Sequence, residues 1–208
     1  MKVMAFNGSP HTDGAVAKGI SIMADELGKA GIEVEIAHIG HRQIPGCIGC
    51  MECWKLGNGC TVIGDPVLWA HEKVKTADGI ILGSPVYLGG VAGTFKSFLD
   101  RLFFSGSKDM SHKIGATVVS LRRTGGISVF HQLNNYFNFA QMVITPSVYW
   151  SVVHGSNADE MERDLEGVQT LEAQARNMAW LIKALAAGKK EEPPPPPPAK
   201  RVFTNFIR

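Results

Sequence analysis

Apolar positions along this chain follow two rhythms, one of strands and one of helices. Residues 2–7 form a short apolar run closed by Gly8, which predicts a buried strand. Val16, Ile20, Met23 and Leu27 then recur at helical steps and predict a helix over 15–30, ending near Gly31. Val34, Ile36 and Ile39 mark a second strand over 32–39. A helix is expected over 65–76, then a continuous apolar strand over 79–82 that breaks at Gly83-Ser84-Pro85. Phe95, Phe98, Leu99, Leu102 and Phe103 give a helix over 92–104 an inner face. Residues 114–121 read as a strand, 127–141 as a helix and 142–149 as a fifth strand. The last helix carries Leu165, Val168, Leu171, Ala175, Met178, Leu181, Ile182 and Leu185 in phase, with Gly188 as its C-cap.

Five strands alternating with five helices predict an α/β fold, a doubly wound five-stranded parallel sheet with helices on both faces. Ligands of such sheets bind beyond the carboxyl ends of the strands, where the strand order reverses. One domain over 1–188 is expected. After Gly188 the character changes: Lys189-Lys190-Glu191-Glu192 leads into six prolines, and 189–208 reads as a stiff Pro-rich linker with an apolar tail. Phe203 and Phe206 in that tail are expected to pack across the interface of a homodimer or homotetramer, because exposed phenylalanines favour a buried destination.

The formal charge of +2 and the lack of a basic stripe argue against nucleic acid. No apolar run is long enough for a membrane span. The first residues run straight into a strand and make a poor signal peptide, so a cytoplasmic protein is expected. In that reducing setting clustered cysteines persist as thiols or metal ligands.

The chemistry concentrates in one loop. Cys47, Cys50, Cys53 and Cys60 are the chain's four cysteines, and they fall within residues 46–60 among Gly46, Gly49, Gly57 and Gly59. A sulfur at every third residue can wrap around one small inorganic core, with the fourth returning on a longer arm. That spacing favours an iron–sulfur cluster. Zinc is one alternative, although structural zinc sites usually pair two separated Cys-x-x-Cys knuckles. Free, redox-active thiols are the other.

A second motif, Asn7-Gly8-Ser9-Pro10-His11-Thr12-Asp13-Gly14-Ala15-Val16, joins the first strand to the first helix. Free backbone N–H groups at a helix start suit a phosphate, with Ser9 adding a hydroxyl donor and His11 a charge. The turn is neither a dinucleotide fingerprint nor a Walker loop. Tyr87, just past Ser84-Pro85, is placed to cover a planar ligand, and Arg122 or Arg123 could stabilise an anionic ring edge. Trp150 and His154 read as packing residues, and Trp54 as a shield for the cysteine loop. Asp100 and Arg101 read as helix surface or dimer contacts.

The phosphate turn resembles that of the flavodoxin-like NADPH-dependent FMN reductases. Ala77-Asp78-Gly79-Ile80-Ile81-Leu82-Gly83-Ser84-Pro85-Val86-Tyr87-Leu88-Gly89 resembles their ring-binding third-strand loop, Phe95-Lys96-Ser97-Phe98-Leu99-Asp100-Arg101 the helix after it, and Arg122-Arg123-Thr124-Gly125-Gly126 their fourth-strand loop. Within that superfamily the cysteine loop resembles the iron–sulfur flavoprotein branch. The resemblance spans about residues 1–187 and implies a flavodoxin-like fold. It implies FMN held by Ser9, His11, Gly14, Ala15, Val16, Pro85, Val86, Tyr87, Leu88, Gly89, Arg123, Thr124, Gly125 and Gly126, and a 4Fe–4S cluster on the four cysteines. His11 stands where the family usually has Arg, and Ala15-Val16 replace polar residues, which leaves more of the phosphate to backbone donors. The expected activity is an FMN-dependent oxidoreductase passing electrons between a donor and an acceptor, with NAD(P)H, ferredoxin or a quinone-like small molecule as the redox partner. No acid–base catalytic side chain stands out. The alternatives are a cluster-free NAD(P)H-dependent FMN or quinone reductase, and a non-catalytic flavin- or zinc-binding module.

Overall fold

The computed structural model describes residues 1–57, 59–189, 191–196 and 204. Strands β1 (Lys2–Asn7), β2 (Glu33–His38), β3 (Gly79–Tyr87), β5 (Ile114–Leu121) and β6 (Val143–Ile144) form a parallel sheet in the order β2-β1-β3-β5-β6. The chain winds outward from β1 to β2, then crosses to β3 on the other side of β1. This reversal is the switch point of the sheet, and it leaves a crevice at the carboxyl ends of β1 and β3.

Alternation along each strand supplies both cores. Met4, Phe6, Ile80 and Leu82 face α3 (Val67–Thr76), α4 (Gly93–Gly106) and α5 (Gly126–Phe139). Val3, Ala5, Ile81, Ala116 and Val118 face α1 (Ala15–Lys29) and α7 (Leu165–Gly188). All five residues proposed for the inner face of α4 are buried. Two further short helices are α2 (Glu52–Leu56) and α6 (Ala158–Glu162).

Three departures from the pattern have physical causes. The third strand does not break at Gly83-Ser84-Pro85; it continues to Tyr87 and turns back into β4 (Gly90–Val91). Gly83 accepts a hydrogen bond from Gly8 on the β1 side, so strand alternation aims the position of Pro85's missing N–H to that same side, past the end of β1. A proline costs little there.

The fifth strand, expected over 142–149, is instead two short pieces, β6 and β7 (Val152–His154), both paired with β5. Pro146 cannot donate to the ladder, and the intervening segment bulges out, exposing Val148, Tyr149 and Trp150. Lastly, Gly188 lies inside α7 and Lys189 caps it, while Leu165 at the other end is exposed. The tail residues Phe203 and Phe206 lie outside the described residues. Among the described residues no helix is long and apolar enough to cross a membrane.

Candidate functional site

Three loops meet at the carboxyl ends of β1, β3 and β5. The first is held by side chains beneath it. Asn7 Oδ1 accepts from the Ser9 amide at 2.9 Å, His38 Nε2 contacts the Ser9 carbonyl at 2.6 Å, and Ser9 Oγ accepts from the His11 amide at 3.1 Å. Gly40 packs so closely that a Cβ there would lie 2.3 Å from the carbonyl oxygens of Gly8 and Ser9. Ser9 is buried, yet its hydroxyl hydrogen remains available to donate. Gly14 begins α1 with no side-chain cap, and the first turn contains no acidic residue. The Ala15 and Val16 side chains are buried, so these two residues face a ligand with their amides alone. His11 and Gly14 line a hollow of about 420 Å³ with Asp13, Ser156, Asn157 and Asp159.

The second loop is the β3–β4 hairpin. Pro85, Val86 and Tyr87 belong to β3, and Leu88 and Gly89 form the turn with φ of 51° and 75°. Left-handed backbone is strained for leucine, and Leu88 is fully exposed. The turn is pinned rather than loose: the Ser84 hydroxyl accepts from the Ala92 amide at 3.2 Å, and the Ser128 hydroxyl donates to the Gly89 carbonyl at 2.8 Å.

The third loop, Arg123-Thr124-Gly125-Gly126, lies against the second. Gly125 has φ of 91°, and a Cβ there would meet Val86 at 3.1 Å. These four residues line a hollow of about 290 Å³ with Tyr149, Trp150 and His154. Trp150 and His154 are therefore not packing residues. Both are substantially exposed, with Trp150 against Tyr149 and His154 beside Asp164. The Gly8 amide donates to the Gly83 carbonyl and so links the first loop to the second, while the first and third loops line separate hollows.

The cysteine loop packs over the side of α4 that carries Arg101, Phe104 and Ser105. Met51, Gly49, Gly57 and Gly59 all have positive φ, and these bends turn the chain back on itself. All four cysteines line one small hollow of about 20 Å³ together with Arg101 and Phe104. Cys47 and Cys50 are exposed, Cys53 is buried, and no two are joined by a disulfide. Burial pushes the Cys53 thiol up, and the nearby sulfurs of Cys60, Cys50 and Cys47 push it further. Among the described residues no three His, Cys, Asp or Glu side chains close on a point as tightly as a single metal ion needs. Trp54 stacks on Phe104 at 5.1 Å and donates to its carbonyl, tying the loop to α4.

Arg101 overturns its sequence reading. It is not a surface residue but the largest fully buried side chain, at 1% exposure. Its guanidinium forms an ion pair with Asp65 and donates to the carbonyls of Pro45 and Val62 and to Cys60 Sγ. Burial works against its charge, but Asp65 and Cys60 more than offset this and leave its pKa raised. Asp100 is half-buried, bound by Lys96 and by the Tyr136 hydroxyl at 2.5 Å. Sequence reasoning also missed Asn7 and His38, the scaffold of the phosphate turn. An Asn closing a strand before Gly-Ser is a signal that could have found the first.

Comparison with known proteins gives the family and the fold. Residues 1–157 match the family described as NADPH-dependent FMN reductase. An iron-sulfur flavoprotein of Methanocaldococcus jannaschii is 30% identical over 193 residues, covering 89% of this chain and 99% of its own. An iron-sulfur flavoprotein of Methanosarcina thermophila is 24% identical over 189 residues, covering 89% and 97%. Among solved structures, RosB with bound 8-demethyl-8-formylriboflavin-5'-phosphate superposes with a TM-score of 0.72 at 16% identity, covering 100% of this chain and 94% of its own. An archaeal flavodoxin gives 0.58 at 14% identity, covering 88% and 99%. The fold is therefore flavodoxin-like, and the chain belongs to the NADPH-dependent FMN reductase family, as an FMN-dependent oxidoreductase.

Proposed function

We propose that this FMN-dependent oxidoreductase is an electron-transfer flavoprotein in which Cys47, Cys50, Cys53 and Cys60 hold a 4Fe–4S cluster. The observation that carries the reading is the common hollow of the four sulfurs, with a buried arginine donating to one of them. A set of four thiols spread around a hollow suits a core with several metal atoms better than one ion. The hollow is small, so admitting a core requires the exposed Cys47–Cys50 arm to swing outward, which Gly46 and Gly49 allow. The M. jannaschii and M. thermophila relatives are both described as iron-sulfur flavoproteins.

FMN supplies two-electron hydride chemistry and single-electron release, and a cluster supplies single-electron transfer. The chain's own residues bind and orient. The Ser9 hydroxyl and the amides at the start of α1 would hold the phosphate; the first turn of α1 carries no acidic residue, and Asp13 and Asp159 line the adjoining hollow. The hairpin at Tyr87-Leu88-Gly89 and the loop at Arg123–Gly126 offer a pinned, partly apolar seat for the ring, and the Arg123 guanidinium favours negative charge at the ring edge. NAD(P)H, ferredoxin or a quinone-like molecule is the redox partner class, and the assembly is a homodimer or homotetramer.

Purification without oxygen, followed by counts of flavin, iron, sulfide and zinc, tests this reading. FMN with iron and sulfide in equal amounts supports it. Zinc without iron, or thiols alone, refutes the cluster and leaves the flavin enzyme.

A further inference from the structure

Arg101 is not among the residues expected at the flavin, yet its charge is buried. Burying an ion costs several kcal/mol unless it is paired and hydrogen-bonded, and a leucine would cover the same apolar surface of α4 without that cost. Here the guanidinium is fully engaged. One terminal nitrogen donates to Asp65 and to the Pro45 carbonyl at 3.3 Å. The other donates to the Val62 carbonyl at 3.0 Å and to Asp65 at 3.4 Å. These bonds fix both ends of the cysteine loop, and they aim the remaining donor, Nε–H, at Cys60 Sγ 3.3 Å away.

We propose that Arg101, balanced by Asp65, is the positioning residue that fixes Cys60 and sets the reduction potential of the cysteine-held cluster. This rests on the cluster reading above. Adding an electron makes such a cluster more negative, and a cation hydrogen-bonded to one ligand sulfur stabilises the reduced form more than the oxidised form. Cluster potentials follow net charge and hydrogen bonds to the sulfurs in this way. The Arg101 and Asp65 side chains are 1% and 5% exposed, so water and salt screen them weakly.

The pair makes a signed prediction. Arg101→Gln removes the cation and leaves the Asp65 carboxylate, so the potential falls. Asp65→Asn removes the opposing charge while its amide oxygen still accepts from the guanidinium, so the potential rises. Arg101→Lys keeps the charge and loses the planar fork, so it falls less than the glutamine variant. A purely structural role in packing the loop would not reverse sign between the two sites.

The test uses anaerobically purified wild type and the three variants, each counted for iron, sulfide and FMN. Each is then titrated through cluster reduction with electron paramagnetic resonance as the readout. We expect Arg101→Gln to shift the one-electron equilibrium at least tenfold, about 59 mV, to more negative potential, and Asp65→Asn to shift it the other way. Equal potentials in the loaded proteins, or shifts of the same sign, overturn the proposal and leave the cluster intact as a reading. If Arg101→Gln holds no iron, the sign of the Asp65→Asn shift decides alone. Wild type without iron and sulfide overturns the cluster reading itself and the proposal with it.

Discussion

Replacing Ser9 with Ala isolates one donor to the phosphate while leaving the turn that carries it. Alanine keeps two of the three bonds that hold the turn: the residue-9 amide to Asn7 Oδ1 at 2.9 Å and the residue-9 carbonyl to His38 at 2.6 Å. What is lost is the hydroxyl, which accepts from the His11 amide at 3.1 Å and has its hydrogen free for a ligand. A hydrogen bond to a charged group contributes about 1.5–3 kcal/mol, and the amides at the start of α1 share this phosphate, so about 1–2 kcal/mol is the expected loss. That is roughly a 5- to 30-fold rise in the FMN Kd. The assay is a fluorescence titration of flavin-free protein with FMN and, in parallel, with riboflavin, which lacks the phosphate. The FMN affinity should fall and the riboflavin affinity should stay within about twofold. Unchanged FMN affinity, or an equal loss for both flavins, would refute the placement of the phosphate at Ser9.

Three further outcomes follow from the same geometry. Gly40→Ala pushes a methyl into the carbonyls of Gly8 and Ser9, a backbone clash at 2.3 Å, and should cost about 1–3 kcal/mol of stability with a parallel loss of FMN, seen as a smaller FMN-induced rise in Tm. Leu88→Gly relieves left-handed strain and should stabilise the flavin-free protein by about 1 kcal/mol in urea while weakening FMN, since the exposed side chain would no longer cover the ring. Glu35, bonded first by Lys2 and then by Lys73, has its pKa held below the ordinary carboxylate value; its contribution is present above about pH 4.3 and is lost as pH falls through the lower folded-state pKa. Because these ion pairs are partly solvated, Glu35→Gln should cost no more than about 1 kcal/mol at pH 7, and less as the pH falls through the folded-state pKa, by thermal denaturation.

Much of this was legible in the sequence because it is local. The strand over residues 2–7 and the helices at 15–30 and 92–104 announce themselves through period and glycine punctuation; β1 has the expected bounds, and α1 and α4 shift by one or two residues. The three loops at the strand ends were legible for the same reason, since each is a short motif closing a strand. The edge of the sheet was not, because the apolar run over 142–149 reads as a strand until Pro146 is weighed for its missing donor. Arg101 was misread because its partners, Cys60 and Asp65, lie 41 and 36 residues away and no local rule brings them together. One trace was present: Arg101 stands three residues after Phe98 and four before Ser105, in phase with the buried stripe of α4. A charged residue in an apolar phase calls for a distant partner.

The central claim is that one chain carries a flavin on its strand ends and an inorganic core in its cysteine loop. The most direct measurement is the composition of the wild-type protein purified under strict exclusion of oxygen, compared with Cys60→Ser prepared identically. The account predicts one FMN per chain with about four iron and four sulfide in the wild type. In the serine variant it predicts FMN retained and iron reduced. Wild-type protein with FMN but neither iron nor sulfide would contradict it.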